Sequence, residues 1–411
     1  QEQPDLIKDK KYEDTGSSIF DADNDGDNDL LVVSGGNETP DDPSLYIARL
    51  YLNNGKGILN RSTSFPEVRT SGKAIAVGDF DNDGWKDIYI GGRVIPGHYG
   101  RTPSSFLLKN NKGIFVDVTS LTPSLQKPGM ITDAVWSDNN GDGWKELILV
   151  GEWMPLTIFK NKNGVLYNTA EQMHKTYGWW NTIIAVDIDN DGDEDLISGN
   201  EGVNSRYKIQ DTAEIRMMVN DFDRNGSTDC VISLFEDGNY YPVALRDMLL
   251  DQMNFLKKRF LRYRDYSLTT TDDIFTKEEL EGTTYLKADF MKSTCFMNDG
   301  KGNYTISVLP LRSQLSPVNA IITDDIDKDG KTDLLIAGNN YSTQVENGRS
   351  DAGIGLMLRN AGGGNFRSVP VTLSGFYVPG DVKCMKKITI AGKICFIAGK
   401  NSGKVQVIGY N

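Results

Sequence analysis

The chain has 411 residues, 42 of them glycine, and a formal charge of −13. That length allows two average domains or one large repeat array. The charge argues against nucleic acid or an anionic membrane as a partner of the molecule as a whole. Strand-like runs recur between turn signals and helix-type periodicity is rare, so the class is all-β.

From the start, Leu6 to Tyr12 enters abruptly and is expected to supply an outer strand. The first acidic loop follows, with Asp21, Asp23, Asp25, Asp27 and Asp29 around Gly26. The clearest copy is Asp79, Asp81, Asp83 and Asp87 around Gly84, with Trp85 at its seventh position. Four more align without gaps: Asp138, Asn140, Asp142, Trp144, Glu146; Asp187, Asp189, Asp191, Asp193, Asp195; Asp221, Asp223, Asn225, Ser227, Asp229; and Asp325, Asp327, Asp329, Lys331, Asp333. Oxygen-bearing side chains at positions 1, 3, 5 and 9, a carbonyl at 7 and a turn-making glycine at 6 form a donor set suited to Ca²⁺. Apolar strand-like runs on both sides argue against an EF-hand, whose loop joins helices. Asp, Asn and Gly are ordinary turn residues, so a single copy could be a plain turn. Six copies at the same offsets favour metal. Six Ca²⁺ would bring the charge from −13 to roughly −1.

Between these loops lie second hairpins with Asn/Gly turns, such as Asn53-Asn54-Gly55 and Asn161-Lys162-Asn163-Gly164. One hairpin of each kind makes a four-stranded propeller blade. First-Asp spacings are 58, 59, 49, 34 and 104 residues. The 34 implies a trimmed blade after Asp187 and the 104 an insertion. In the insertion, 243–282, Leu245, Leu249, Met253, Leu256 and Phe260 form a helical stripe, and Thr276-Lys277-Glu278-Glu279 is a capping box opening a second helix. The segment 382–411 lacks carboxylates in ladder order and reads as a metal-free closing blade. The expectation is a single β-propeller over 1–411, with seven blades and a small helical insertion. Cys230, Cys295, Cys384 and Cys395 show no metal-type pairing and read as free thiols, with one disulfide as the lesser option.

Function follows mostly by exclusion. There is no Walker loop, zinc spacing or basic stripe. His98 and His174 stand in no Ser or Cys arrangement, and metal-bound carboxylates stay ionised and make poor general acids. Segments after the second strand of each blade are long and polar-aromatic. Arg93, Trp153, Arg206, Tyr207, Tyr341 and Arg349 have the composition of a contact surface there, though packing between blades explains them equally well.

The Asp ladders resemble the FG-GAP/VCBS family, whose members build Ca²⁺-binding, integrin-like propellers. Gly151-Glu152-Trp153-Met154-Pro155, Gly178-Trp179-Trp180-Asn181, Gly199 to Tyr207, and Tyr241-Pro242-Val243 with Arg246-Asp247 look like the C-terminal propeller of large bacterial VCBS-repeat surface proteins. Those proteins also carry an upstream propeller and an ASPIC/UnbV region related to cartilage acidic protein; neither is evident in this sequence. The resemblance implies that the ladder residues named above are ligands, for up to six Ca²⁺. Asn140 and Asn225 remove a charge from their sites, and Glu146 is one methylene longer than the usual Asp. It also implies export to the cell surface, outer membrane or extracellular space, with a lipid anchor on an upstream segment an option; no stretch of the sequence is apolar for long enough to span a membrane. The resemblance fixes no ligand; with catalytic arrangements excluded, the expected role is a non-catalytic binding or scaffold module with a protein partner, such as an outer-membrane nutrient transporter or surface complex, or a glycan. The alternative is a carbohydrate-active enzyme such as a polysaccharide lyase, or a lectin-like propeller. A convergent Lys/Arg/Tyr/carboxylate cluster in a central cleft, apart from the metal loops, would favour the enzyme, and a flat or partner-covered face the binding module.

Overall fold

Every acidic loop closes an antiparallel hairpin at the same register. The residue before position 1 pairs with position 9: Phe20 with Asp29, Gly78 with Asp87, Ser137 with Glu146, Val186 with Asp195, Asn220 with Asp229, and Asp324 with Asp333. The computed structural model describes residues 2–168, 173, 175–210, 213–344 and 347–409. These form seven separate antiparallel sheets with short helices between them.

Sheet A contains Asp14–Phe20, Asp29–Ser34, Arg49–Asn53 and Leu59–Arg61. Sheet B contains Ala74–Gly78, Asp87–Gly91, Phe106–Asn111 and Ile114–Asp117. Sheet C contains Met130–Ser137, Glu146–Met154, Thr157–Lys162 and Val165–Asn168, with Gly178–Trp179 paired to the end of its long second strand. Sheet D joins Thr182–Val186 and Asp195–Gly199 to Thr294–Asn298 and Tyr304–Val308. Sheet E contains Ile215–Asn220, Asp229–Glu236, Asn239–Pro242 and Thr284–Ala288. Sheet F contains Ala320–Asp324, Asp333–Ala337, Leu356–Asn360 and Phe366–Val369. Sheet G contains Val382–Ile390, Lys393–Lys400 and Gln406–Gly409.

The first strands of A, B, C, D, F and G neighbour one another in that order, the propeller-like arrangement in which consecutive sheets pack face to face. Apolar layers fill the gaps: Leu31 and Leu50 against Ile88 and Leu108, Tyr89 and Leu107 against Leu147 and Phe159, Ile148 and Val150 against Leu196 and Phe296. Strand ends approach closely near the first strands. A Cβ on Gly199 would sit 2.2 Å from the Val318 carbonyl oxygen, so only glycine fits there.

Three sequence expectations change. The sheet after Asp187 is not trimmed: the chain leaves D after Gly199, builds sheet E and its helices, and returns at Thr294 to complete four strands. The Asp221 loop therefore belongs to the inserted sheet, which meets sheet C through Thr284–Ala288. Leu6 to Tyr12 forms no strand; Pro4 opens the short helix Pro4–Lys8, which packs on Leu59–Arg61. The capping box at Thr276 does form, with the Thr276 amide donating to Glu279 (2.7 Å) and the Glu279 amide to Thr276 Oγ1 (3.3 Å). It yields only a turn, because the chain reverses at Gly282 (φ +78°) within a few residues.

The stretch 243–282 holds the helices Arg246–Gln252 and Tyr263–Ser267 with 3₁₀ turns at Asn254–Lys258 and Thr271–Asp273. Leu249, Met253, Leu256 and Phe260 of the stripe are buried, but Leu245 is not. The four cysteines are free thiols, and Cys395 lies opposite Ile388 rather than Cys384. No helix among the described residues is long and apolar enough to cross a membrane.

Candidate functional site

The six loops share one backbone. Position 6 is glycine at φ between +84° and +99° in all of them, and a Cβ there would meet nothing, so the left-handed conformation alone demands glycine. Position 4 is also left-handed: Asn24, Asn82, Gly141, Asn190, Arg224 and Lys328. This curl aims amides at the first carboxylate, so that Gly84 donates to Asp79 Oδ2 (2.8 Å) and Asp83 to Asp79 Oδ1 (3.1 Å). Equivalent bonds hold Asp21, Asp138, Asp187, Asp221 and Asp325.

Position 9 is tied into the sheet. Asp87 accepts from the Phe80 amide (3.1 Å) and, across to the third strand, from the Asn110 amide (2.7 Å). Burial pushes its carboxyl up to about 7 against those two bonds, and it does the same to Glu146, while Asp195 rises to about 6.

With positions 1 and 9 fixed, carboxylates converge in five loops. Oxygens of Asp21, Asp23 and Asp25; Asp79, Asp81 and Asp87; Asp187, Asp189 and Asp195; Asp221, Asp223 and Asp229; and Asp325, Asp327 and Asp333 lie within 4.8 Å of one another in each group. Several oxygens lack any hydrogen-bond partner among the described residues: Asp21 Oδ1, Asp23 Oδ1, Asp27 Oδ1, Asp81 Oδ1 and Asp193 Oδ1. Burial, then the charges of their neighbours, raises Asp23, Asp189 and Asp193. Unpartnered hard oxygens under mutual repulsion fit a divalent cation such as Ca²⁺.

The loops are not equivalent. The 138–146 loop is not among the convergent groups. Asn140 stands at position 3, and its amide donates to Glu146 Oε1 (3.1 Å), so the longer acid is occupied internally. Asn225 instead stands at position 5, outside the triad of its loop, and that triad survives. In two loops a cation from the third strand already reaches the carboxylates. Lys109 pairs with Asp81 and Asp83, and Arg359 with Asp327 and Asp329.

Sequence reading missed a latch between sheets. Asn110, Asn161, Asn298 and Asn360 are last or next to last in their third strands, and each side chain donates to a loop carbonyl of the preceding sheet: Ala22 (2.8 Å), Phe80 (2.7 Å), Asn139 (2.8 Å) and Ile188 (2.8 Å). The Asn before each Gly-rich turn was the available signal; only its contact across sheets was invisible.

At the opposite ends of the strands the expected contact residues divide. Trp153 is 4% exposed and left-handed (φ +59°); it packs edge-to-face on Trp179, which packs on Tyr207 between sheets C and E. Trp153 is therefore a packing residue, because Ile215, Met217 and Ala288 of the inserted sheet close over it. Arg93 pairs with Glu152 (2.6 Å), which also accepts from Tyr99 (2.7 Å). Arg206 donates to Asn347 Oδ1 (2.9 Å), and Asn347 to the Tyr207 hydroxyl (3.3 Å), joining two loops. Arg349 lies over the Tyr341 ring at 5.2 Å.

Around Arg93 sits a polar cluster not foreseen from sequence. Burial lowers Lys73, whose charge is felt by Asp133, Arg93, Lys383 and Glu152. Glu152 is held below the usual range as Arg93 and Tyr99 outweigh its burial, whereas burial and the Glu152 charge push Glu201 up to about 7. His98 contacts Thr228 (2.9 Å); His174 lies outside the described residues.

Comparison with known proteins agrees with the loops. The FG-GAP-like repeat profile matches residues 21–90 and 138–198, so the chain carries FG-GAP-like repeats, consistent with that family. No curated protein matches. Among solved structures, an Agrocybe aegerita lectin described as recognising non-reducing terminal N-acetylglucosamine is 12% identical, with 97% of this chain and 81% of that one covered at a TM-score of 0.45. The V. cholerae biofilm matrix protein Bap1 is 11% identical over 94% of this chain and 74% of that one, at a TM-score of 0.35. At these scores neither likeness bears on function.

Proposed function

We propose that the chain is a calcium-stabilised, non-catalytic propeller that serves as a binding or scaffold module at the cell surface, as an accessory of an outer-membrane nutrient-uptake assembly. The observation that carries the metal reading is the convergence of three carboxylates in each of five loops with unpartnered buried oxygens among them. In this reading the side chains at positions 1, 3, 5 and 9 hold Ca²⁺, with the carbonyls of Asp27, Trp85, Asp193, Ser227 and Lys331 completing the rings; Trp144 and the 138–146 loop contribute least. The ion supplies charge neutralisation, and the loops, already curled and latched to neighbouring sheets, supply rigidity.

The partner face in this reading is the end bearing Arg93, Arg206, Tyr207, Tyr341 and Arg349, and its ligand is a protein or a glycan. Melting in excess EGTA tests the metal: a drop of roughly 10 °C or more is expected, several sites contributing, and an unchanged melt removes structural calcium. Pull-down from native membranes with the wild type and an Arg206→Glu, Arg349→Glu variant tests the face.

A second reading has one specific observation behind it. Glu152 accepts from Arg93 and Tyr99 and feels the charge of Lys73, Glu201 feels Glu152 and Lys383, and the two acids shift in opposite directions, as an acid–base pair would. Cleavage of an acidic polysaccharide, abolished by Glu201→Gln with melting unchanged at acidic pH, would establish it.

A further inference from the structure

The inserted segment exposes a strip unlike the rest of this acidic chain. Between Lys257 and Leu268 there are five basic residues and one acid, Asp265. Phe260 and Tyr266 anchor the strip in the apolar core of the insertion, together with Leu249, Met253 and Leu256. What lies between the anchors faces outward: Leu261 is 74% exposed, Leu268 71% and Tyr263 62%. Of the basic residues, Arg259 is occupied by Glu279 and Lys257 leans toward Asp251 and Asn254. Lys258, Arg262 and Arg264 are exposed and have no ion pair or side-chain hydrogen bond among the described residues.

Burying Leu261 and Leu268 inside the insertion was open to a segment that already buries five apolar neighbours. Instead, both leucines are exposed, Leu261 beside Arg262 and Leu268 four residues beyond Arg264. We infer that this strip docks on an anionic lipid surface, with Lys258, Arg262 and Arg264 at the phosphates and Leu261 and Leu268 entering the headgroup–acyl boundary. Tyr263 lies between them, its hydroxyl donating to Asp247 and its ring under Arg246. A soluble polyanion would match the cations and leave the leucines wet. An acidic protein would need a shaped recess for them, whereas a bilayer needs none. The overall charge of −13 does not oppose this, because the acidic residues concentrate in the six loops and, outside them, Lys and Arg outnumber Asp and Glu. The strip lies on the inserted sheet rather than on the six-sheet series, and none of its docking residues is a proposed metal ligand or partner-face residue.

Vesicle flotation of the full chain tests it, with phosphatidylcholine vesicles with and without phosphatidylglycerol. Flotation is expected only with the anionic lipid and should weaken with salt. Lys258→Glu, Arg262→Glu, Arg264→Glu together should reduce it by roughly tenfold or more, and Leu261→Ser, Leu268→Ser should also reduce it, with circular dichroism and melting unchanged. No flotation, equal flotation on neutral vesicles, binding indifferent to either variant, or binding to soluble heparin without vesicles would each overturn the inference.

Discussion

At the scale of single residues, the third strand decides how each acidic loop meets a cation. Lys109 and Arg359 place a fixed positive charge against carboxylates that an incoming ion needs, so those two loops are partly neutralised from within. Leu52 and Met297 hold the same place beside the 21–29 and 187–195 loops and offer no charge. Lys109→Met should therefore tighten Ca²⁺ binding at the 79–87 loop in calorimetric titration. It should also lower the melting temperature in chelator by no more than about 3 °C, since a half-exposed pair is weak. Tighter binding without the apo penalty, or the reverse, would show that the lysine does not compete.

Glu201 gives a test with a definite sign. Its folded-state pKa of about 7 lies above the unfolded value, so the native state binds more protons than the unfolded one between those limits. Its contribution to stability is present at low pH and lost as pH rises through about 7. Glu201→Gln should raise the melting temperature at pH 8 by about 2–4 °C and leave it unchanged near pH 4. A gain that is the same at both pH values would assign the effect to packing.

At the scale of elements, the unit is not the hairpin but the hairpin with its latch. The third-strand Asn makes several bonds at once: Asn110 Nδ2 donates both to Ala22 O in the acidic loop of sheet A and to Lys86 O (3.1 Å) in the loop of its own sheet, while its amide holds Asp87. Position-4 side chains stitch the other way, Asn82 to Gly143 O at 2.9 Å and Asn190 to Gly330 O at 3.1 Å. Asn110→Ala leaves two carbonyls at a buried site without donors and should cost about 2–4 kcal/mol in urea unfolding. The loss should be the same with Ca²⁺ or EGTA if the latch acts independently of metal. These latches were half legible: the Asn-Gly turns announced the hairpins, but a contact made with a residue 88 positions away leaves no local pattern. The capping box at Thr276 is the opposite case, read correctly as a local bond pattern and incorrectly as a helix, because Gly282 ends the turn first.

At the scale of the whole molecule, the inserted sheet changes the reading most. Spacings along the chain treat Asp221 as one more member of the series, while strand pairing returns the chain to sheet D at Thr294 and sets Asp221 apart. Metal stoichiometry can show how far the loops differ. Asp187→Asn should remove one bound Ca²⁺ measured by plasma emission spectrometry, and Asp138→Asn should leave the count unchanged, because its loop has no convergent triad.

The sequence by itself determined the repeated loop, its donor order and the β character of its flanks. These depend on residues within nine positions of one another and on the left-handed glycine among them. Only the tertiary structure decided which sheet each hairpin joins, that Trp153 is interior, which loops hold an internal counter-cation, and that Lys73, Glu152 and Glu201 share one environment. Each of those depends on strands far apart in the chain coming into contact, and pairing register between sheets is set by packing rather than by any local run of residues.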